Sequence, residues 1–392
     1  MKQRIYMDHT AGMPVDPSVI EAMLPYYTEK YGNPSSLHSW GNEARKALED
    51  SRAKIVDLIG AKKPEEIFFT SGGTESNNTA IKGVTKRNKD RGNHIVTTSI
   101  EHMSIINPCK SLMKQGFEVT FVPVDRYGVV DLQALENAIT DKTTLVSVAY
   151  ANGEIGTIQP IKEISEIIHH KGASFHVDAV AACGQIPINV QTESIDLMSV
   201  SSNDMYGPRG VGALYVRTGT RIEPITQGGG QERGLRSGTE NIPAIVGMGK
   251  AAEIAKAEMK NESERLVELR DRLVKGVLNS VPASFLNGHP TKRLPNNANL
   301  RFSYIEGESL ILSLDKQGIA CSSGSACTSK TLEPSHVLLA IGLKHEDAHG
   351  SLLFTLGRRN TQEDVDYVVM ALPDIVKRLR AISPLTPKEM LQ

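Results

Sequence analysis

The sequence predicts an α/β protein, a largely parallel sheet layered with helices, with a second and smaller α+β domain. Three observations carry that expectation. From about residue 60 to 220, short apolar runs alternate with stretches of 3.6-residue periodicity, the rhythm of helices packed on a parallel sheet. The runs are rich in β-branched residues and end in turn residues, as strands do. The 392 residues, 40% hydrophobic and 23% charged, have the make-up of a folded protein of roughly two or three domains.

In chain order the expected strands are residues 66–70 (EIFFT), 94–99 (HIVTTS), 117–124 (FEVTFVPV), 143–150 (TTLVSVAY), 173–180 (ASFHVDAV), 196–202 (DLMSVSS) and 210–217 (GVGALYVR). Ser76–Arg87, Leu132–Ile139 and Ile161–His170 carry helical periodicity between them. Residues 218–241 are glycine-rich, and 242–280 read as one or two long charged helices. After 281, strands and helices mix again. There is no internal repeat.

Charge and cysteine usage exclude several roles. With 44 basic and 45 acidic side chains the formal net charge is −1, which offers no general basic field to nucleic acid or an anionic membrane. Apolar runs break well before the ~18 residues of a membrane span. Asp8 interrupts the N-terminus too early for a signal peptide. Four cysteines (Cys109, Cys183, Cys321, Cys327) in so long a chain are not a disulfide framework, so a reduced, cytoplasmic protein is expected.

Two glycine-rich turns invite an anion. Thr70-Ser71-Gly72-Gly73-Thr74-Glu75 follows an expected strand and opens an expected helix, whose free N–H groups suit a phosphate; a plain strand-to-helix turn explains it too. The stretch Gly228–Thr239 joins permissive backbone to Arg233, Arg236 and hydroxyls, and can also grip an oxyanion. Neither is a Walker loop.

Cys321-Ser322-Ser323-Gly324-Ser325-Ala326-Cys327-Thr328-Ser329 has almost no bulk except sulfur, which suits a mobile loop presenting a thiol, although cysteine is often only a small core residue. Cys109 and Cys183 are expected in the core. His345-Glu346-Asp347-Ala348-His349 spells the zinc-peptidase pattern, but Gly350 follows at once and no third ligand lies just downstream.

Taken together, the pieces resemble the cysteine desulfurases of the iron–sulfur-cluster class, NifS/IscS-like members of the class V aminotransferases and fold-type I enzymes of pyridoxal phosphate (PLP). The resemblance runs over nearly the whole chain. It includes Gly32–Ser36, the Thr70–Glu75 turn, Glu101-His102, Asn152 with Glu154-Ile155-Gly156, His176–Ala179, Tyr206-Gly207-Pro208, Arg236–Thr239, the Ser322–Cys327 loop and Leu356-Gly357-Arg358. It implies that Gly73, Thr74 and Ser201 hold the cofactor phosphate and that Thr239 reaches it from a partner subunit. His102 then stacks on the pyridine ring and Asp178 faces the ring nitrogen, keeping it protonated. Cys327 becomes the persulfide-forming nucleophile.

Five positions depart from the family pattern. The Ser-x-His-Lys before Tyr-Gly-Pro is here Ser201-Ser202-Asn203-Asp204, which puts an aspartate in place of the cofactor-binding lysine and Asn203 in place of a histidine. No lysine lies between Lys171 and Lys250. Ala181 stands for a ring-supporting glutamine, Gly153 for the second asparagine of Asn-Asn-Glu-Ile-Gly, and Leu353 for the arginine that clamps the substrate carboxylate.

The expectation is a desulfurase homologue that acts in iron–sulfur cluster assembly with a scaffold protein. In it Cys327 is a ligand of a [2Fe-2S] cluster or a sulfur carrier, Cys321 is either a second ligand or a packed thiol, and PLP-dependent desulfuration is lost or very weak. An active enzyme holding PLP non-covalently is the alternative, and a zinc peptidase using His345, Glu346 and His349 a third. The resemblance further implies a homodimer and a mostly parallel seven-stranded sheet. The large domain is expected over residues 15–260, with residues 1–14 and 261–392 forming the small one.

Overall fold

The structure is a computed structural model that describes residues 4–323 and 334–390. After a two-residue strand β1 (Ile5–Tyr6) come helices α1 (Pro17–Met23), α2 (Pro25–Thr28) and α3 (Ser39–Ile59). Gly60 closes α3 in the left-handed region at φ 67°, which a glycine adopts without strain.

The alternation expected from the sequence then appears as β2 (Ile67–Thr70), α4 (Gly73–Arg87), β3 (His94–Thr98), α5 (Met103–Met113), β4 (Glu118–Val122), α6 (Leu132–Ala138), β5 (Thr143–Ala149), α7 (Ile161–His170), β6 (Ser174–Asp178), β7 (Leu197–Ser201) and β8 (Gly212–Val216). These strands form one seven-stranded sheet in the order β2-β8-β7-β6-β5-β3-β4. All run parallel except β8, which is antiparallel to both β2 and β7.

Strand β5 is buried at every position, because helices cover both faces of the sheet. On one face pack Val96, Val146, Phe175 and Val200, and on the other Ile95, Leu145, Leu197 and Leu214. The sequence pattern gave no bounds for α5, which Pro108 interrupts; the His102 ring caps it by accepting from the Ser104 N–H at 3.1 Å.

Residues 242–280 form a single 39-residue helix, α8 (Ile242–Ser280). Its first half, to Ala255, is buried in the core of the large sheet; from Leu266 to Val277 it belongs to a second core. That second core holds Ile5 and Met7 together with an antiparallel sheet of β9 (Ser284–Leu286), β10 (Asn297–Phe302) and β12 (Ser351–Thr355), in the order β12-β10-β9. It also includes α9 (Gly307–Asp315), α12 (Gln362–Ile382) and the parallel pair of β1 with β11 (Ile319–Ala320). Two short helices, α10 (His336–Ala340) and α11 (His345–His349), pack in a separate small cluster with Ile100 and Ile155. No described helix is long and apolar enough to cross a membrane.

Candidate active site

The parallel strands end along one edge, and there the chain places its polar residues, as open α/β sheets do at a topological switch. A cavity of about 470 Å³ opens at this edge. Gly73 and Thr74 reach it from the start of α4, His102 from the segment after β3, Asp178 from the end of β6 and Ser201 from the end of β7. Five of the candidate residues named for the ligand therefore meet in one place. Asp204, Gly153, Ala181 and Leu353, four of the five positions expected from the resemblance to depart from the family pattern, line the same cavity. Asn203 does not; its Oδ1 accepts from Arg209 Nε at 3.3 Å.

Gly72 precedes α4 with φ 145° and no side chain caps the helix, which leaves its first N–H groups at the cavity. A Cβ on Gly73 would stand 2.5 Å from Val180 Cγ2, so only glycine fits that corner. Asp178 is 6% exposed and accepts from Asn77 Nδ2 at 2.7 Å and from the Val180 N–H at 3.0 Å. The His102 Nδ1 is committed to Ser104, and its ring lines the cavity.

The charge of the wall is one-sided. Among its described residues are five carboxyls (Asp8, Glu101, Glu154, Asp178 and Asp204) and no lysine or arginine. Burial pushes the Glu101 and Glu154 carboxyls up to about 8 and Asp204 up to about 7, with the Asp178 charge adding to the rise at Asp204. Asp178 and Asp8 are also raised by burial. Glu101 Oε2 and Asn77 Oδ1 lie in fully buried residues and find no partner among the described residues. Of these groups, Asn77 was not singled out in the sequence, and Asp8 was read only as a break in the N-terminal segment. Glu101 and Glu154 were quoted there without a role, although the adjacency of Glu101 to His102 was a usable signal.

Between about pH 4.5 and 8 the folded protein keeps protons on Glu101 and Glu154 that the unfolded chain has released. The stabilisation is complete below about 4.5 and is lost as pH rises to about 8. Urea midpoints measured at pH 6 and pH 8.5 are expected to fall with rising pH, and to fall less in Glu101→Gln.

Other candidates lie elsewhere. Thr239 is exposed and does not line this cavity. The arginines of the second glycine-rich turn serve their own chain instead of an outside anion: Arg236 Nε binds Glu75 at 2.9 Å, and Arg233 Nη2 donates to the Ile67 carbonyl at 2.6 Å. Cys327 and the rest of residues 324–333 lie outside the described residues. Ser322 and Ser335, on either side of that segment, both line the cavity. Cys321 is buried in the second core, and burial followed by the Asp8 charge raises its thiol, which makes it a packed side chain. Burial likewise pushes Cys109 and Cys183 up to about 12.

His345 and His349 do share one short helix, α11, which ends before Gly350. No group of three His, Cys, Asp or Glu among the described residues is placed to hold a metal ion, so the two histidines lack a third ligand there.

The profile of the family described as aminotransferase class-V matches residues 5–368. This chain belongs to the class-V aminotransferases. It is similar to "Cysteine desulfurase IscS 1" of Archaeoglobus fulgidus, with 60% identity over 97% of this chain and 99% of that one. It is 55% identical to "Cysteine desulfurase IscS" of Methanosarcina thermophila, over 98% of this chain and 95% of the relative. Among solved structures, one titled "NIFS-LIKE PROTEIN" superposes with a TM-score of 0.90 at 40% identity, covering 96% of this chain and all of that one. The class-V aminotransferase fold is that of the fold-type I PLP enzymes, and the seven-stranded mixed sheet described above is its large sheet.

Proposed function

We propose that this class-V aminotransferase homologue works in iron–sulfur cluster assembly as a sulfur- or cluster-handling protein. In this reading it docks a scaffold protein, uses Cys327 as a persulfide carrier or as a ligand of a [2Fe-2S] cluster, and has lost most desulfuration of free cysteine. The observation that carries the reading is the absence of any lysine or arginine among the described residues of the cavity wall, where Asp204 and Leu353 stand instead.

The cavity suits the phosphate and ring of PLP but not its covalent attachment. The uncapped start of α4 with Gly73 and Thr74, joined by Ser201, would hold the phosphate; His102 would face the ring, and Asp178 the ring nitrogen. When bound, PLP supplies an electron sink for bonds at a substrate α-carbon. The described residues of the wall include no lysine to hold it covalently or to move the α-proton, a task worth typically ~10²–10⁴-fold. Nor do those described residues include a guanidinium for the substrate carboxylate. Thiolate is a good iron ligand, and the flanks of the Cys327 segment open onto this cavity, which supports a donor role for that thiol.

A homodimer, with Thr239 acting across the subunit boundary, is supported by the exposed apolar residues Leu24, Tyr27, Tyr31, Leu37 and Trp40, each more than half exposed in the single chain. A division into residues 15–260 and residues 1–14 with 261–392 is supported by the two cores that α8 joins.

A second reading, an active cysteine desulfurase holding PLP non-covalently, is favoured by the names of the relatives at 60% and 55% identity. Anaerobic co-purification with a scaffold protein separates the consequences. Cys327→Ser is expected to abolish bound cluster iron and to weaken the complex; cluster content indifferent to that change overturns the thiol role. Alanine release by the unaltered protein at the rate of a lysine-bearing desulfurase establishes the second reading.

A further inference from the structure

We propose that the cavity selects the amine form of its cofactor, pyridoxamine 5′-phosphate, over the aldehyde form, with Asp204 as the partner of the aminomethyl ammonium. The inference rests on the reading of this cavity as the cofactor site; it concerns which chemical form the site accepts.

Three parts of the wall define the ligand. The uncapped N-terminus of α4, a 15-residue helix, offers N–H groups and a positive dipole end to a phosphate. Asp178, fixed by Asn77 and the Val180 N–H, offers a buried carboxylate to a protonated ring nitrogen. The third part is the short turn Asn203–Met205 after β7, which carries Asp204 into the same cavity.

The Asp204 carboxyl takes hydrogen bonds from Ser201, Asn203 and its own backbone, but has no cationic partner among the described residues. A half-buried carboxylate without a cation is costly, and it calls for a ligand with a positive charge at that point. An aldehyde brings a carbonyl oxygen, which the carboxylate repels, and the described residues of the wall include no lysine for it to condense with. A primary ammonium brings three donors and a charge. Two further atoms of the same wall, Glu101 Oε2 and Asn77 Oδ1, are buried without a partner, as expected of a cavity that is completed by a polar ligand.

The test is equilibrium binding to the full-length protein freed of vitamin B6. Pyridoxamine 5′-phosphate and pyridoxal 5′-phosphate are titrated separately, and aldehyde captured by surface lysines is scored apart as borohydride-reducible adduct. The expected result is a dissociation constant for the amine form about tenfold or more below that for the aldehyde. Asp204→Asn, which keeps the shape of the side chain, is expected to erase that ratio by weakening the amine form alone; circular dichroism confirms that the variant is folded.

Equal or tighter aldehyde binding by the unaltered protein overturns the proposal, and so does a preference that survives in Asp204→Asn. Binding of neither form overturns it together with the cofactor site. The Cys327 role is read independently in the co-purification experiment.

Discussion

Asp204→Lys is expected to let the protein capture PLP covalently while alanine release from cysteine remains slight. The adduct is measured as a mass increment on residue 204 after borohydride reduction. The physical reason is that one amine repairs one of several losses. On the proposed reading, Leu353 still leaves the substrate carboxylate without a guanidinium, and Ala181 leaves the ring without its side-chain support. An arginine–carboxylate pair contributes roughly 1.5–3 kcal/mol, or about ten- to a hundredfold in rate where it orients the substrate. The double variant Asp204→Lys/Leu353→Arg is therefore expected to exceed the single one by about that factor. Substantial turnover from Asp204→Lys alone would show that the pocket is damaged at one point only.

The other large effect concerns stability. Arg52 in α3 and Glu232 in the glycine-rich segment form a buried ion pair, each side chain 2% exposed, with Arg52 Nη2 2.7 Å from Glu232 Oε1. Glu232 also accepts from the Phe69 N–H of β2 at 2.7 Å, and Arg52 donates to the Ile67 carbonyl at 2.7 Å. Both Glu232 (φ 47°) and Arg233 (φ 53°) sit in the left-handed region, a strained state for side-chain-bearing residues that these contacts hold in place. Glu232→Ala leaves the buried guanidinium with only the half-exposed Glu49 as an anion (Nε–Oε2 3.0 Å) and the Phe69 N–H without its acceptor, and is expected to cost about 3 kcal/mol, read as a lowered denaturant midpoint. The apolar pair Arg52→Met/Glu232→Leu is expected to recover much of that loss, because no uncompensated charge remains. If Glu232→Ala unfolds at the same denaturant concentration as the unaltered protein, the pair does not hold the segment.

The strands of the large sheet were legible because each is an apolar run bounded by turns, and their periodicity is local. The bounds of α5 were not, since Pro108 interrupts its pattern, and the continuity of α8 was not, since its buried face changes halfway from one core to the other. In the site, Gly73, Thr74, His102, Asp178 and Ser201 were named from the sequence and do converge, as do four of the five departures from the family pattern. Glu101, Glu154 and Asp8 gained a role only in three dimensions.

By itself the sequence determined the alternating α/β order, the glycine-rich corner before α4 and the aspartate at position 204, because each is written in neighbouring residues. Only the tertiary structure decided that five carboxyls from distant segments share one wall without a lysine or arginine among its described residues, and that the arginines of the second glycine-rich turn are already engaged. Burial and charge neighbours depend on contacts between segments far apart in the chain, and local pattern carries no record of them.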